Sequence, residues 1–362
     1  MTLQRPRIAT LEAFIIDTFT NVGTDGTEVP VDKADQIGGA GTYGIIGARI
    51  FLPPSRLAMI VDYTPETLPA SMKAQLESYG TDMWAWRERH DGAGTTRAVN
   101  RYNGQVRGFE YLSVPLLLTP RALLDTDFQS PLPDWLHLVS YPARADQVIQ
   151  DIAAMSAEID GGWQPGLVWE PEPPSCVPEN LALISKLTRQ VDIISPNHTE
   201  ALQMFDRALS SENELVPVLE WAARSLVAFR PRIGAVIRAG PLGCCYALTS
   251  ELVRTPSPHP ASRKVSNPGT PSHVQPVYWA PAFWHPDMPG YKTKGNAFMG
   301  GLMAALDEGK DMHEAVVWAN VAASFVIEQD GLPTIKTILG REVWNGDYPW
   351  ERVENLKRRM KM

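Results

Sequence analysis

An α/β fold with a mainly parallel central sheet and helices on both faces is predicted by two features of this 362-residue sequence. Short apolar runs alternate with helical patterns along most of the chain. Each run stops at a polar residue, a Gly or a Pro, as buried parallel strands do before their crossover helices. A third feature sets a small second sheet apart. Two alternating segments flank Asn103-Gly104, a hairpin-type dipeptide.

Taken in order, strands are expected at Ala13-Phe14-Ile15-Ile16, Leu57-Ala58-Met59-Ile60-Val61 and Leu136-His137-Leu138-Val139-Ser140. Gly166-Leu167-Val168-Trp169, Asp192-Ile193-Ile194-Ser195 and Ala235-Val236-Ile237-Arg238 continue the series. Helical patterns at 179–190 and 199–209 lie between them. The hairpin arms are expected at 95–100 and 109–114. Residues 255–276 carry Pro256, Pro258, Pro260, Pro268, Pro271 and Pro276. Proline lacks the backbone donor and fixes φ, so this stretch reads as a long exposed loop between two strands. The chain is read as one domain over 1–362, without internal repeats.

Apolar residues make up 44% and charged residues 20%, the range of soluble globular proteins. The net charge of -8 removes the basic footprint of a nucleic-acid binder. No apolar run approaches the roughly 20 residues of a membrane span. The first ten residues carry Arg5 and Arg7 but no apolar h-region, so a cytoplasmic location is expected. Cys176, Cys244 and Cys245 have no second pair at metal-ligand spacing and read as small buried side chains in a reducing compartment. No His/Cys metal site is expected. Neither a P-loop nor a GxGxxG, HExxH or GxSxG motif is present.

Lys294-Gly295-Asn296-Ala297-Phe298-Met299-Gly300-Gly301-Leu302 resembles, with an altered centre, the signature of the ribokinase/PfkB family of small-molecule kinases. That signature runs roughly D-T-T-G-A-G-D-A-F-x-x-G. Its glycine turn opens a helix, and its Asp takes the proton from the substrate hydroxyl. Here the turn reads Lys292-Thr293-Lys294-Gly295, and Asn296 stands at the position of the Asp.

Further motifs carry the resemblance. Phe14-Ile15-Ile16-Asp17 is similar to the first strand, whose terminal Asp binds a substrate hydroxyl; a helix cap or turn role explains Asp17 nearly as well. Gly38-Gly39-Ala40-Gly41-Thr42-Tyr43 resembles the N-terminal glycine motif, with Tyr43 where the family often has Asn. Ser195-Pro196-Asn197-His198-Thr199-Glu200 matches the N-x-x-E element, which in such kinases helps organise Mg²⁺ and phosphate. A capping box through Asn197 and Glu200 explains it equally well. Ile237-Arg238-Ala239-Gly240-Pro241-Leu242-Gly243 is similar to the turn beside the nucleotide, and a plain hairpin turn also accounts for its glycines. Val168-Trp169-Glu170-Pro171 and the run from Ala322 to Gln329 resemble a fungal branch of PfkB-like proteins.

The resemblance implies a ribokinase-like three-layer α/β/α fold with a small β-lid from about 20–38 and 94–118. Asn296 and Asp17 become the catalytic candidates. Gly38, Gly39, Gly41, Tyr43 and Arg97 become the substrate side. Asn197, Glu200, Arg238, Gly240, Gly243, Lys292, Lys294 and Gly295 become the nucleotide or anion side. ATP and Mg²⁺ are the implied cofactors if phosphoryl transfer is retained, and otherwise none. The implied partners are a small-molecule substrate and a second copy paired through the lid, with no nucleic acid and no membrane.

The altered signature bears on the chemistry. An amide is non-basic, so Asn296 accepts no hydroxyl proton. General-base help is worth about 10²–10⁴ in rate. Thr293 is poorly suited to the positive φ that a glycine allows, and Lys292 and Lys294 offer charge in place of backbone N–H groups. The expectation is therefore a PfkB-fold enzyme repurposed for non-phosphorylating, secondary-metabolite-type chemistry such as a cyclisation or isomerisation. A sugar or small-alcohol kinase and a ligand- or protein-binding pseudokinase are the alternatives. Tyr43, Trp84, Trp86, Phe283 and Trp284 are candidates to wall an apolar pocket.

Overall fold

A computed structural model describes residues 8–23, 26–103, 106–209, 211–251, 275–284 and 296–361. The chain begins β1 (Ile8–Thr10), β2 (Ile15–Val22), β3 (Glu28–Pro30), β4 (Gln36–Gly38), α1 (Ala40–Arg49), β5 (Leu57–Tyr63), α2 (Ala70–Glu77) and β6 (Trp84–Glu88). Next come β7 (Arg97–Asn103), β8 (Val106–Tyr111), β9 (Trp135–Ser140), α3 (Pro142–Glu158), β10 (Gly166–Pro171), α4 (Leu181–Thr188), β11 (Ile193–Ile194) and α5 (His198–Met204). They are followed by α6 (Leu215–Ala228), β12 (Gly234–Arg238), β13 (Cys244–Leu248) and β14 (Tyr278–Ala280). The described chain closes with α7 (Asn296–Asp307), α8 (Met312–Ile327), β15 (Ile335–Ile338), β16 (Arg341–Trp344) and α9 (Pro349–Met360).

Nine strands form the central sheet in the order β14-β13-β12-β11-β10-β9-β1-β5-β6. All neighbours from β12 to β6 run parallel, and only β13 and β14 are antiparallel. Apolar side chains of the strands alternate between two cores. Ile8, Val168, Ile193 and Val236 pack with α1, α7 and α8. Ala9, Leu136, Leu138, Trp169 and Ile237 pack with residues of α3, α4 and α6 on the other face. Residues 15–38 and 97–111 contribute β2, β3, β4, β7 and β8 to a separate five-stranded sheet.

One expected strand is displaced. The first strand of the central sheet is Ile8–Thr10, and the run at 13–16 opens β2 of the small sheet instead. Three residues suffice for β1 because it pairs on both sides, Ile8 with Leu57 and with Trp135. Asp17 is therefore the third residue of β2 and not the acid at a central strand's end. The helix expected at 199–209 is also shorter. It ends at Met204, where Asp206 takes φ 51° and the Arg207 N–H donates to the Leu202 carbonyl, a left-handed helix stop. Of the proline-rich stretch, residues 255–274 lie outside the described residues.

Glycine sets how closely α1 and α7 approach. A Cβ on Gly47 would strike the carbonyl of Ala297, and one on Gly300 the carbonyl of Gly44. Gly301 faces α8 in the same way, with the Trp318 carbonyl 2.7 Å from the place of its Cβ. The small residues after Asn296 thus serve helix packing. That packing carries the start of α7 onto α1, above β9.

Candidate functional site

Strand periodicity assembles a polar floor at the C-terminal ends of the central strands. Side chains alternate faces along a strand. Thr10, His137, Glu170 and Arg238 therefore follow Ile8, Trp135, Val168 and Val236 onto the face that carries α1 and α7. Thr10 and His137 are register partners, with Oγ1 and Nδ1 3.3 Å apart. His137 Nε2 lies 2.6 Å from Glu170 Oε1. Arg238 Nη2 lies 2.6 Å from Glu170 Oε2 and 3.7 Å from Glu200 Oε2. His137 is fully buried and Glu170 nearly so. Buried charges of this kind persist only when paired and hydrogen-bonded.

The array ends at α5. Asn197 caps that helix: its Oδ1 accepts from the Glu200 N–H, and Glu200 Oε2 accepts from the Asn197 N–H at 2.6 Å. The N-x-x-E element is thus a complete capping box in addition to any ligand role. Burial pushes the Glu200 carboxyl up from its ordinary value, opposed by Arg238 and the Asn197 N–H. Next to it, burial pushes the half-buried His198 imidazole down.

Asn296 opens α7 directly over this floor. Its carbonyl oxygen lies 3.8 Å, and His137 Nδ1 3.1 Å, from the place a Gly44 Cβ would take. Lys292, Lys294 and Gly295 lie outside the described residues.

The substrate-side candidates gather around β2, β4 and the start of α1. A Cβ on Gly38 would collide with the Asp17 carboxylate, so glycine makes the room that this acid occupies. Gly39 holds φ 89°, and a Cβ on Gly41 would meet Thr10 Oγ1 at 2.8 Å. Gly38 thus sits against Asp17, and Gly41 against Thr10 of the polar floor. Tyr43 bends toward the motif's own backbone, its hydroxyl donating to the Ile37 carbonyl at 3.4 Å. Arg97 is separated from Asp17. The register pairs Ile16 with Arg97 and Asp17 with Ala98, so the two side chains leave opposite faces of the small sheet. Arg97 pairs with Asp35 at 2.6 Å.

The nucleotide-side glycines form the β12–β13 hairpin. Gly240 and Gly243 hold φ 55° and 89°. A Cβ on Gly243 would meet the backbone that follows β14. The cysteines are buried and unpaired with one another, and burial pushes the Cys176 and Cys244 thiols up to about 12. These are inert thiols.

The aromatic candidates do not wall one pocket. Trp84 is buried in edge strand β6 and donates to the Leu76 carbonyl. Trp86 stacks edge-on against Tyr63 at 5.6 Å. Phe283 and Trp284 hold Arg352 of α9 by cation–π contact at 5.2 and 4.9 Å. Only Phe283 and Trp284 share a partner, and they also pack edge-on against each other at 4.7 Å.

Sequence reasoning also missed a cluster beside the floor. Glu12 Oε1 accepts from the Val139 N–H at 2.9 Å and from Arg144 at 3.0 Å. Burial, and after it Glu12, push the Glu172 carboxyl up, with Arg144 opposing.

No family model matches the chain. An uncharacterized protein of Schizosaccharomyces pombe, C16C9.01c, is 29% identical over 332 residues, covering 88% of this chain and 86% of the relative. Protein MAK32 of Saccharomyces cerevisiae is 27% identical over 333 residues, covering 85% and 82%. Among solved structures, ribokinase from Giardia lamblia superposes with a TM-score of 0.68 at 15% identity, covering 98% of this chain and 99% of that one. A probable sugar kinase from Rhizobium etli gives 0.60 at 14% identity, covering 99% and 100%. Phosphofructokinase-2 from Escherichia coli gives 0.58 at 12% identity, covering 98% and 100%. The fold is therefore that of the ribokinase/PfkB sugar kinases, with a large, mainly parallel central sheet.

Proposed function

We propose that this chain binds a small molecule between the small sheet and the C-terminal ends of the central strands, and that phosphoryl transfer from ATP is weakened or lost there. The chemistry is then non-phosphorylating, such as a cyclisation or isomerisation of a secondary-metabolite-type substrate. The observation that carries this reading is the place of Asn296. It opens α7 beside Gly44 and over His137, where the resemblance puts the catalytic acid, and its amide accepts no proton. The floor beneath is closed by the Glu170–Arg238 ion pair and the His137–Glu170 contact, and its acids, Glu170 and Glu200, are buried and offer no exposed replacement base.

Phosphoryl transfer depends on positioning and charge more than on the base. The full-length match to sugar kinases, together with the Asp17–Gly38 contact, favours a second reading, an ATP- and Mg²⁺-dependent kinase of a sugar or small alcohol. Homodimerisation through the small sheet fits either reading, since Val29, Phe109, Leu112 and Val114 are exposed there or just beyond it.

ADP release separates the two. With ATP and Mg²⁺ and ribose, adenosine or a fructose phosphate, turnover is expected far below the about 1–100 per second of working kinases. Ready turnover on any of these substrates would establish the kinase reading instead.

A further inference from the structure

The resemblance implies a divalent cation near Asn197 and Glu200, and the residues found there do not suit one. Magnesium needs oxygen ligands in an open, near-octahedral shell. Both oxygens of Glu200 are already engaged by Asn197, through its N–H at 2.6 Å and its Nδ2 at 2.5 Å. Both oxygens of Glu170 are engaged as well, one by His137 and one by Arg238. Arg238 Nη2 sits between the two acids and also donates to the Ser195 carbonyl at 3.2 Å. Among the described residues no group of three or more His, Cys, Asp or Glu side chains is arranged to hold a metal ion. A guanidinium carries a permanent charge, five donors and no acceptor. It pairs with Glu170, sets its charge beside Glu200 and offers a metal nothing.

We propose that Arg238 is a fixed cation built in place of a bound divalent metal, and that the Glu170–Arg238–Glu200 triad closes this end of the crevice to Mg²⁺ and Mn²⁺. The inference goes beyond the functional reading above and is tested apart from any reaction.

Manganese binding, followed by electron paramagnetic resonance on the full-length protein, tests it without reference to activity. Wild-type protein is expected to show no saturable site that depends on Glu170 or Glu200. Arg238→Ala removes the fixed positive charge and frees Glu170 Oε2, so it should bind Mn²⁺ at least about tenfold more tightly than wild type. The same metal should raise its Tm but not that of wild type. Adding Glu170→Gln to Arg238→Ala should abolish the gain. Arg238→Gln, which keeps length and polarity, provides the same comparison if the alanine variant does not fold. A saturable Mn²⁺ site in wild type that Glu200→Gln removes would overturn the inference. So would a folded Arg238 variant that gains no affinity.

Discussion

Glu170→Ala is expected to lower the free energy of unfolding by about 3–5 kcal/mol, the cost of breaking a buried ion pair from one side. The carboxylate joins His137 to Arg238 at 2.6 Å on each side. Its removal leaves an imidazole and a guanidinium buried without it, and Glu200 at 3.7 Å is a poor substitute. Urea denaturation reads the loss. Glu170→Gln should cost less, because the amide keeps the shape and one acceptor. Combining it with Arg238→Gln should cost less than the two separate changes together, since the residues share one network. An alanine cost below about 1 kcal/mol, the scale of an exposed ion pair, would show that the array is solvated and not a buried floor.

Gly300→Ala should be nearly as damaging, at about 3 kcal/mol, the upper end of overpacking costs. The added methyl would enter the carbonyl of Gly44 and lie 2.5 Å from the Ala48 nitrogen. Both are backbone atoms of a helix and cannot rotate aside, so α7 must move off α1. That shift would also displace Asn296. Gly108→Ala is the matched control, because its Cβ meets only ordinary contacts at 3.7 Å and the position carries no positive φ. It should stay within about 0.5 kcal/mol of wild type. Thermal unfolding of both variants beside wild type checks the pair.

The sequence patterns revealed the long strands because each is an apolar run buried on both faces. Leu57–Tyr63, Trp135–Ser140, Gly166–Pro171 and Gly234–Arg238 lie at or next to the runs that predicted them. Ile8–Thr10 escaped because three residues carry too little pattern, and its place is set by pairing with two neighbours. Arg238 and Glu200 were legible in their motifs, but the His137–Glu170 part of the polar floor escaped for a related reason. His137 lies between two leucines and was absorbed into an apolar strand, and Glu170 directly follows the run 166–169 and was given no partner. A buried ionisable residue needs a partner, and two of them on neighbouring strands were the available signal. The partners come from β1, β9, β10, β12 and α5, and no local spacing shows that they meet. The aromatic wall failed for the opposite reason: tryptophan count says nothing about which rings share a cavity.

Calorimetric titration of the protein with ATP, with and without Mg²⁺, decides whether this kinase scaffold has lost its phosphoryl-transfer site. Binding weaker than about 1 mM, an affinity of about 4 kcal/mol, is expected, with no strengthening by Mg²⁺. Micromolar binding that requires Mg²⁺, accompanied by phosphoryl transfer to a sugar, would contradict it.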